Sequence, residues 1–167
     1  MATALHNLSE YNPAEVPSGK GRHFAVIVSE WNRDITDSLA QGAINTLIAN
    51  GVDEQDIAVY HVPGTYELTY AAARCVNGDL LSRMGTSFDG VICLGCVIQG
   101  ETRHFDFICE GVTNGISALN TQGEIPVIFG VLTTDNYSQA AARAGGELGN
   151  KGDEAAVTAL KMCIFKS

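Results

Sequence analysis

His104 closes the run Gln99-Gly100-Glu101-Thr102-Arg103-His104, in which a glycine and a hydroxyl residue precede a helical pattern. Free backbone N–H groups at such a helix start can hold an anion, with Thr102 as the candidate N-cap. An imidazole in the first turn would stand beside that anion and can move protons near neutral pH. A surface histidine near a helix start is the plainer alternative. Trp31, the only tryptophan, lies in Glu30-Trp31-Asn32 just after an apolar run. Its indole could stack on a flat heterocycle or pack on a helix. Tyr66 and Glu67 follow the turn signal Pro63-Gly64-Thr65, either as ligand contacts or as a packing ring and a helix-start charge. Arg143 and Lys151, in and near a glycine-rich stretch, could neutralise a phosphate or simply keep the surface soluble.

The cysteines promise less. Five is an odd number, and all sit in apolar stretches. Cys93 and Cys96 form a CxxC inside the strand-like VICLGCVI, where an odd separation points them to opposite faces. No second CxxC or spaced His pair accompanies them. Buried, reduced thiols are expected, with no metal.

The elements that must position these residues follow from four apolar runs, Phe24–Ser29, Ile57–Val62, Val91–Ile98 and Val127–Leu132. They are rich in Val and Ile and mostly continuous, the pattern of parallel strands covered on both faces. Helical patterns alternate with them. One carries an Ile35, Leu39, Ala43, Leu47 stripe and stops at Asn50-Gly51. Others span 67–77, 104–119, 137–146 and 153–164, the last two separated by glycine-rich 145–152. Residues 78–87 read as an inserted excursion. The alternation predicts an α/β doubly wound, flavodoxin-like sheet of about four parallel strands with helices on both faces. Ligands bind such sheets at the carboxyl ends of the strands, which directs attention to 30–34, 63–68, 99–105 and 133–136. Residues 1–20 read as an extended or mobile arm, leaving 21–167 as a single domain.

Composition narrows the function classes. The formal charge is −9, against a nucleic-acid footprint. No apolar run approaches membrane-spanning length, and the start lacks a signal-peptide pattern, so a cytoplasmic location is expected. Charged residues are only 17%, which fits a surface buried against copies of itself or a polar, glycine-rich one.

Taken together, Trp31-Asn32, PGTYEL, VICLGCVIQGETRHFD, PVIFGVLTTDN and RAGGELGNKGDEAA, in this order from about Phe24 to Met162, resemble the lumazine synthase family. The resemblance implies a cofactor-free transferase of riboflavin biosynthesis. Such an enzyme condenses a ribitylaminopyrimidinedione with 3,4-dihydroxy-2-butanone 4-phosphate. It further implies that Trp31 stacks on the pyrimidinedione, with Asn32 and Thr65 beside it. Tyr66 and Glu67 would hold the ribityl chain, and Val97 and Ile98 the ring edge. Gly100, Glu101 and Thr102 would form the phosphate loop, and His104 would transfer protons. Phe129 and Arg143 would come from a neighbouring subunit, closing the pocket and binding phosphate, with Lys151 close by. Pentamers are implied, with decamers and 60-subunit shells as larger options and riboflavin synthase as a candidate partner. Three positions depart from the family pattern, the 78–87 insertion, Gln99 at a frequently basic position and Thr69 where proline is common. A ligand carrier without turnover and a lumazine-dismutating riboflavin synthase are the rival readings.

Overall fold

A computed structural model describes residues 7–165. Four strands, β1 (Phe24–Ser29), β2 (Ile57–Val62), β3 (Gly90–Ile98) and β4 (Val127–Thr134), form one sheet in the order β2-β1-β3-β4. Every pairing in it is parallel. The helices α1 (Arg33–Ala49), α2 (Leu68–Val76), α3 (His104–Gln122), α4 (Tyr137–Ala142) and α5 (Lys151–Met162) connect and cover the strands. This is the doubly wound α/β arrangement expected from the alternating runs.

Alternation along β1 and β3 explains the two-sided core. Phe24, Val26 and Val28 enter a cluster with Leu39, Leu47 and Leu160 of α1 and α5. Ala25 and Ile27 enter a second cluster with Leu68 and Val112 of α2 and α3. Each fully buried Leu, Ile or Phe contributes roughly 1.5–3 kcal/mol. Such burial outweighs the weak helix preference of branched residues in α1. Cys96 lies in the first cluster and Cys93 in the second, so the CxxC does split across the sheet. Burial pushes the thiols of Cys75 and Cys96 up to about 11, and that of Cys93 higher still. Cys109 differs from the expected burial, being only partly covered on α3.

Three local readings change. Strand β2 is an edge strand, and Val59 and His61 are exposed, so its upper half is covered on one face only. The helix expected over 137–146 ends at Ala142, and the chain turns into a hairpin of β5 (Ala144–Gly146) and β6 (Gly149–Asn150). Gly145 (φ +94°) and Gly149 (φ +79°) take left-handed backbone that continues no right-handed helix. Asn150 then caps α5 by accepting from Gly152 N at 2.8 Å, which starts that helix at Lys151 rather than 153.

Helix α5 crosses α1 so closely that a Cβ on Gly152 would lie 1.9 Å from the Leu39 carbonyl oxygen. Of the arm expected over 1–20, residues 1–6 lie outside the described residues. Residues 7–9 run against the hairpin, Leu8 N donating to Leu148 O at 2.8 Å and Asn150 N to Ser9 Oγ at 2.9 Å. The 78–87 excursion has no regular element. It is closed by Ser82 and Thr86, whose hydroxyls are 2.8 Å apart. Among the described residues, no helix is long and apolar enough to cross a membrane.

Candidate active site

At the carboxyl ends of β1, β2 and β3 lies a cleft of about 600 Å³. Each wall comes from the turn that leaves a strand. After β1, Asn32 takes left-handed backbone (φ +58°) as the residue before α1. Its Nδ2 donates to the Cys96 carbonyl at 3.0 Å, which ties this turn to β3. Trp31, one residue earlier, is left 73% exposed at the cleft edge. One N–H of the Asn32 amide therefore serves the scaffold, a use that the motif did not show.

After β2, Thr65 is buried, and a Cβ on Gly95 would meet its Oγ1 at 2.8 Å. Only the missing side chain at Gly95 lets the turn settle onto β3. Tyr66 and Glu67 stay exposed and line the cleft. The Tyr66 ring lies over Gly111 of α3, where a Cβ would approach Cε2 to 2.7 Å.

After β3, Val97 and Ile98 line the cleft from the strand end, followed by Gly100, Thr102 and His104. The helix cap differs from the expectation. Arg103, not Thr102, occupies the cap position of α3 and makes no side-chain hydrogen bond to the first turn. Thr102 sits one residue further out, and its Oγ1 accepts only from His104 N at 3.4 Å. The start of a 19-residue helix thus adjoins the cleft without a strong cap, and its partial positive charge suits an anion. Glu101 is exposed on the same loop but does not line the cleft. Gln99 turns onto its own loop, Nε2 donating to Gly100 O at 2.7 Å.

Phe105 and Ile108 also line the cleft, which the sequence reading missed. Their signal was available, since they begin the stripe 105, 108, 112, 116 whose later members, Val112 and Ile116, are core.

The remaining expected site residues lie elsewhere on the chain. Phe129 and Lys151 line a separate groove of about 630 Å³ between the β4 edge and α5. Lys151 Nζ pairs with Glu154 Oε1 at 2.9 Å. Arg143 lines neither cavity. It ends α4, and its Nη1 donates to Gln139 O at 2.9 Å. One chain therefore gathers Trp31, Thr65, Tyr66, Glu67, Val97, Ile98, Gly100, Thr102 and His104, and leaves Asn32, Glu101, Phe129, Lys151 and Arg143 outside the cleft lining. Among the described residues, no group of three His, Cys, Asp or Glu side chains could hold a metal ion.

The family model for 6,7-dimethyl-8-ribityllumazine synthase matches residues 21–167. A relative of that name from Porphyromonas gingivalis is 55% identical over 97% of this chain and 96% of its own length. One from Parabacteroides distasonis is 50% identical over the whole of both chains. One from Phocaeicola vulgatus is 49% identical over 99% of this chain and 95% of its own.

Proposed function

Because the chain belongs to the 6,7-dimethyl-8-ribityllumazine synthase family, we propose that the strand-end cleft is the larger part of its active site. The reaction is the family's condensation of 5-amino-6-(D-ribitylamino)uracil with 3,4-dihydroxy-2-butanone 4-phosphate. The observation that carries the assignment is the convergence of three strand-end turns. They bring an exposed indole, Tyr66, Glu67, His104 and an α-helix start to one cleft.

In this reading the pyrimidinedione stacks on Trp31 with its edge along Val97 and Ile98. Its ribityl chain lies along Thr65, Tyr66 and Glu67. The 5-amino group attacks the ketone of the second substrate, and loss of water gives an imine. Phosphate leaves by elimination, the enol tautomerises, and the ribitylamine nitrogen closes the second ring with loss of water. Each step moves a proton between groups already reactive in water. Holding both partners together in one cleft therefore supplies most of the acceleration, and His104 relays the protons. The leaving phosphate sits at the Gly100–Thr102 loop and the start of α3.

No Lys or Arg lines this cleft among the described residues, although one substrate carries a phosphate. The missing cation supports a site completed by a second copy, with Arg143 on the phosphate and Phe129 as a lid, Lys151 close by. A contact between two different surfaces of identical chains closes into a ring, and we take that ring to be a pentamer. The enzyme is assayed by mixing both substrates and following the fluorescent lumazine. Turnover is expected without added metal or cofactor, and no product under those conditions would overturn the reading.

A further inference from the structure

The Trp31 turn is anchored by more than its own strand. Glu30 N donates to Val62 O at 2.8 Å, and Thr36 Oγ1 to Ser29 O at 2.7 Å. With the Asn32–Cys96 bond, these hold the turn to β1, β2 and β3. A fourth tie comes from a residue distant in sequence, where the Tyr137 hydroxyl donates to Asp34 Oδ2 in the first turn of α1.

Tyr137 is the first residue of α4, and the far end of that helix is itself fixed. Leu148 N donates to Ala142 O at 2.9 Å, and Lys151 N to Arg143 O at 2.8 Å. Tyr137 therefore reaches Asp34 from a helix of six residues pinned at its other end. The bond to Asp34 raises the Tyr137 pKa. Asp34 lies two residues from Asn32, which bonds the carbonyl of Cys96, a residue that lines the cleft. The tie thus lies beside the site, although neither partner lines it.

We propose that Tyr137 is a positioning residue that, through Asp34, holds the Trp31 turn at the cleft. An exposed hydrogen bond of this kind contributes little to global stability. Its effect is therefore expected in the motion of the turn and in affinity for the pyrimidinedione. The affinity part rests on the Trp31 stacking reading given above.

The test uses the full-length enzyme with Tyr137→Phe, which keeps the ring and removes the hydroxyl, and Asp34→Asn, which keeps an acceptor. Trp31, the only tryptophan, reports directly. Time-resolved anisotropy without substrate should show a larger fast depolarisation in Tyr137→Phe. In the same variant KM for the pyrimidinedione should rise about three- to tenfold, the range one such bond can move. Its kcat, and KM for the butanone phosphate, should stay within about twofold on the same scale. Asp34→Asn should resemble the unaltered enzyme on every count. Unchanged Trp31 depolarisation in Tyr137→Phe overturns the proposal. A loosened indole with unchanged KM would uphold the tie and instead contradict the stacking reading.

Discussion

The strand-end cleft and the β4-edge groove are similar in size but differ in the polar groups they offer. The cleft has an exposed indole, a tyrosine, a glutamate, an imidazole and a helix start, with no cation among its described lining residues. The groove has Phe129 and Phe165, further apolar side chains and a lysine paired to a glutamate. No residue lines both. In the proposed reading the cleft takes the flat ring, while the cation for the phosphorylated ketone, Arg143, lines neither region. Within the cleft the start of α3 is the feature that suits an anion, and no Lys or Arg among the described lining residues reinforces it. The contrast is what the proposed reading rests on, in which a second copy completes the site.

Breaking the cationic half should cost most. Arg143→Ala is expected to lower kcat/KM for the butanone phosphate roughly thirty- to a hundredfold, the size of a lost charge-assisted hydrogen bond. Steady-state kinetics should place the loss mainly in KM. Because Arg143 bonds only its own helix carbonyl, circular dichroism should be unchanged. A twofold effect would remove Arg143 from the site.

Breaking the proton carrier in the cleft should cost somewhat less. His104→Ala is expected to reduce kcat by about ten- to a hundredfold, since proximity carries most of the barrier reduction. Complete inactivity with an intact fold would show that proton transfer matters more than this account allows.

Two glycines sharpen the comparison at the level of packing. Gly152→Ala places a Cβ 1.9 Å from the Leu39 carbonyl oxygen, backbone that cannot turn aside. It should cost about 1–3 kcal/mol by denaturant unfolding and disturb the groove through neighbouring Lys151. Gly95→Ala meets Thr65 Oγ1 at 2.8 Å and Leu68 Cδ1 at 3.0 Å, side-chain atoms that can shift. It should cost less stability and show chiefly as a severalfold rise in KM for the pyrimidinedione, of the order that small packing shifts produce. The reverse ranking would mean that the α1–α5 crossing is softer than the turn over β3.

What was legible in the sequence follows how local each determinant is. The bounds of β1 and β2 coincide with the apolar runs, because continuous branched residues between polar breaks have few other fates. The hairpin at 144–150 was not legible. The alanines and the arginine of 140–144 favour a helix, which hides the point where the chain leaves it for left-handed backbone at Gly145 and Gly149. Thr102 read as a cap because its type suits one, but the helix begins a residue later, which side-chain preference alone could not show. In the cleft, Trp31, Tyr66, Glu67 and His104 stood out by type and by their place after the strands. Phe105 and Ile108 belong to a stripe that was visible but reads as core, and only their place at its start, next to the strand end, separates them from Val112 and Ile116. The tie from Asn32 to Cys96 spans 64 residues and has no local signature.

The central claim is that the cleft of one chain is completed by Arg143 of another, and subunit mixing tests it directly. His104→Ala and Arg143→Ala chains are unfolded together in equal amounts and refolded. Random assortment places an intact His104 opposite an intact neighbouring Arg143 at about one contact in four. Activity is therefore expected to rise above both refolded parents toward roughly a quarter of the unaltered enzyme. If both residues serve the site of their own chain, no mixture can rebuild one. Activity would then stay at the average of the two parents, which would contradict the account.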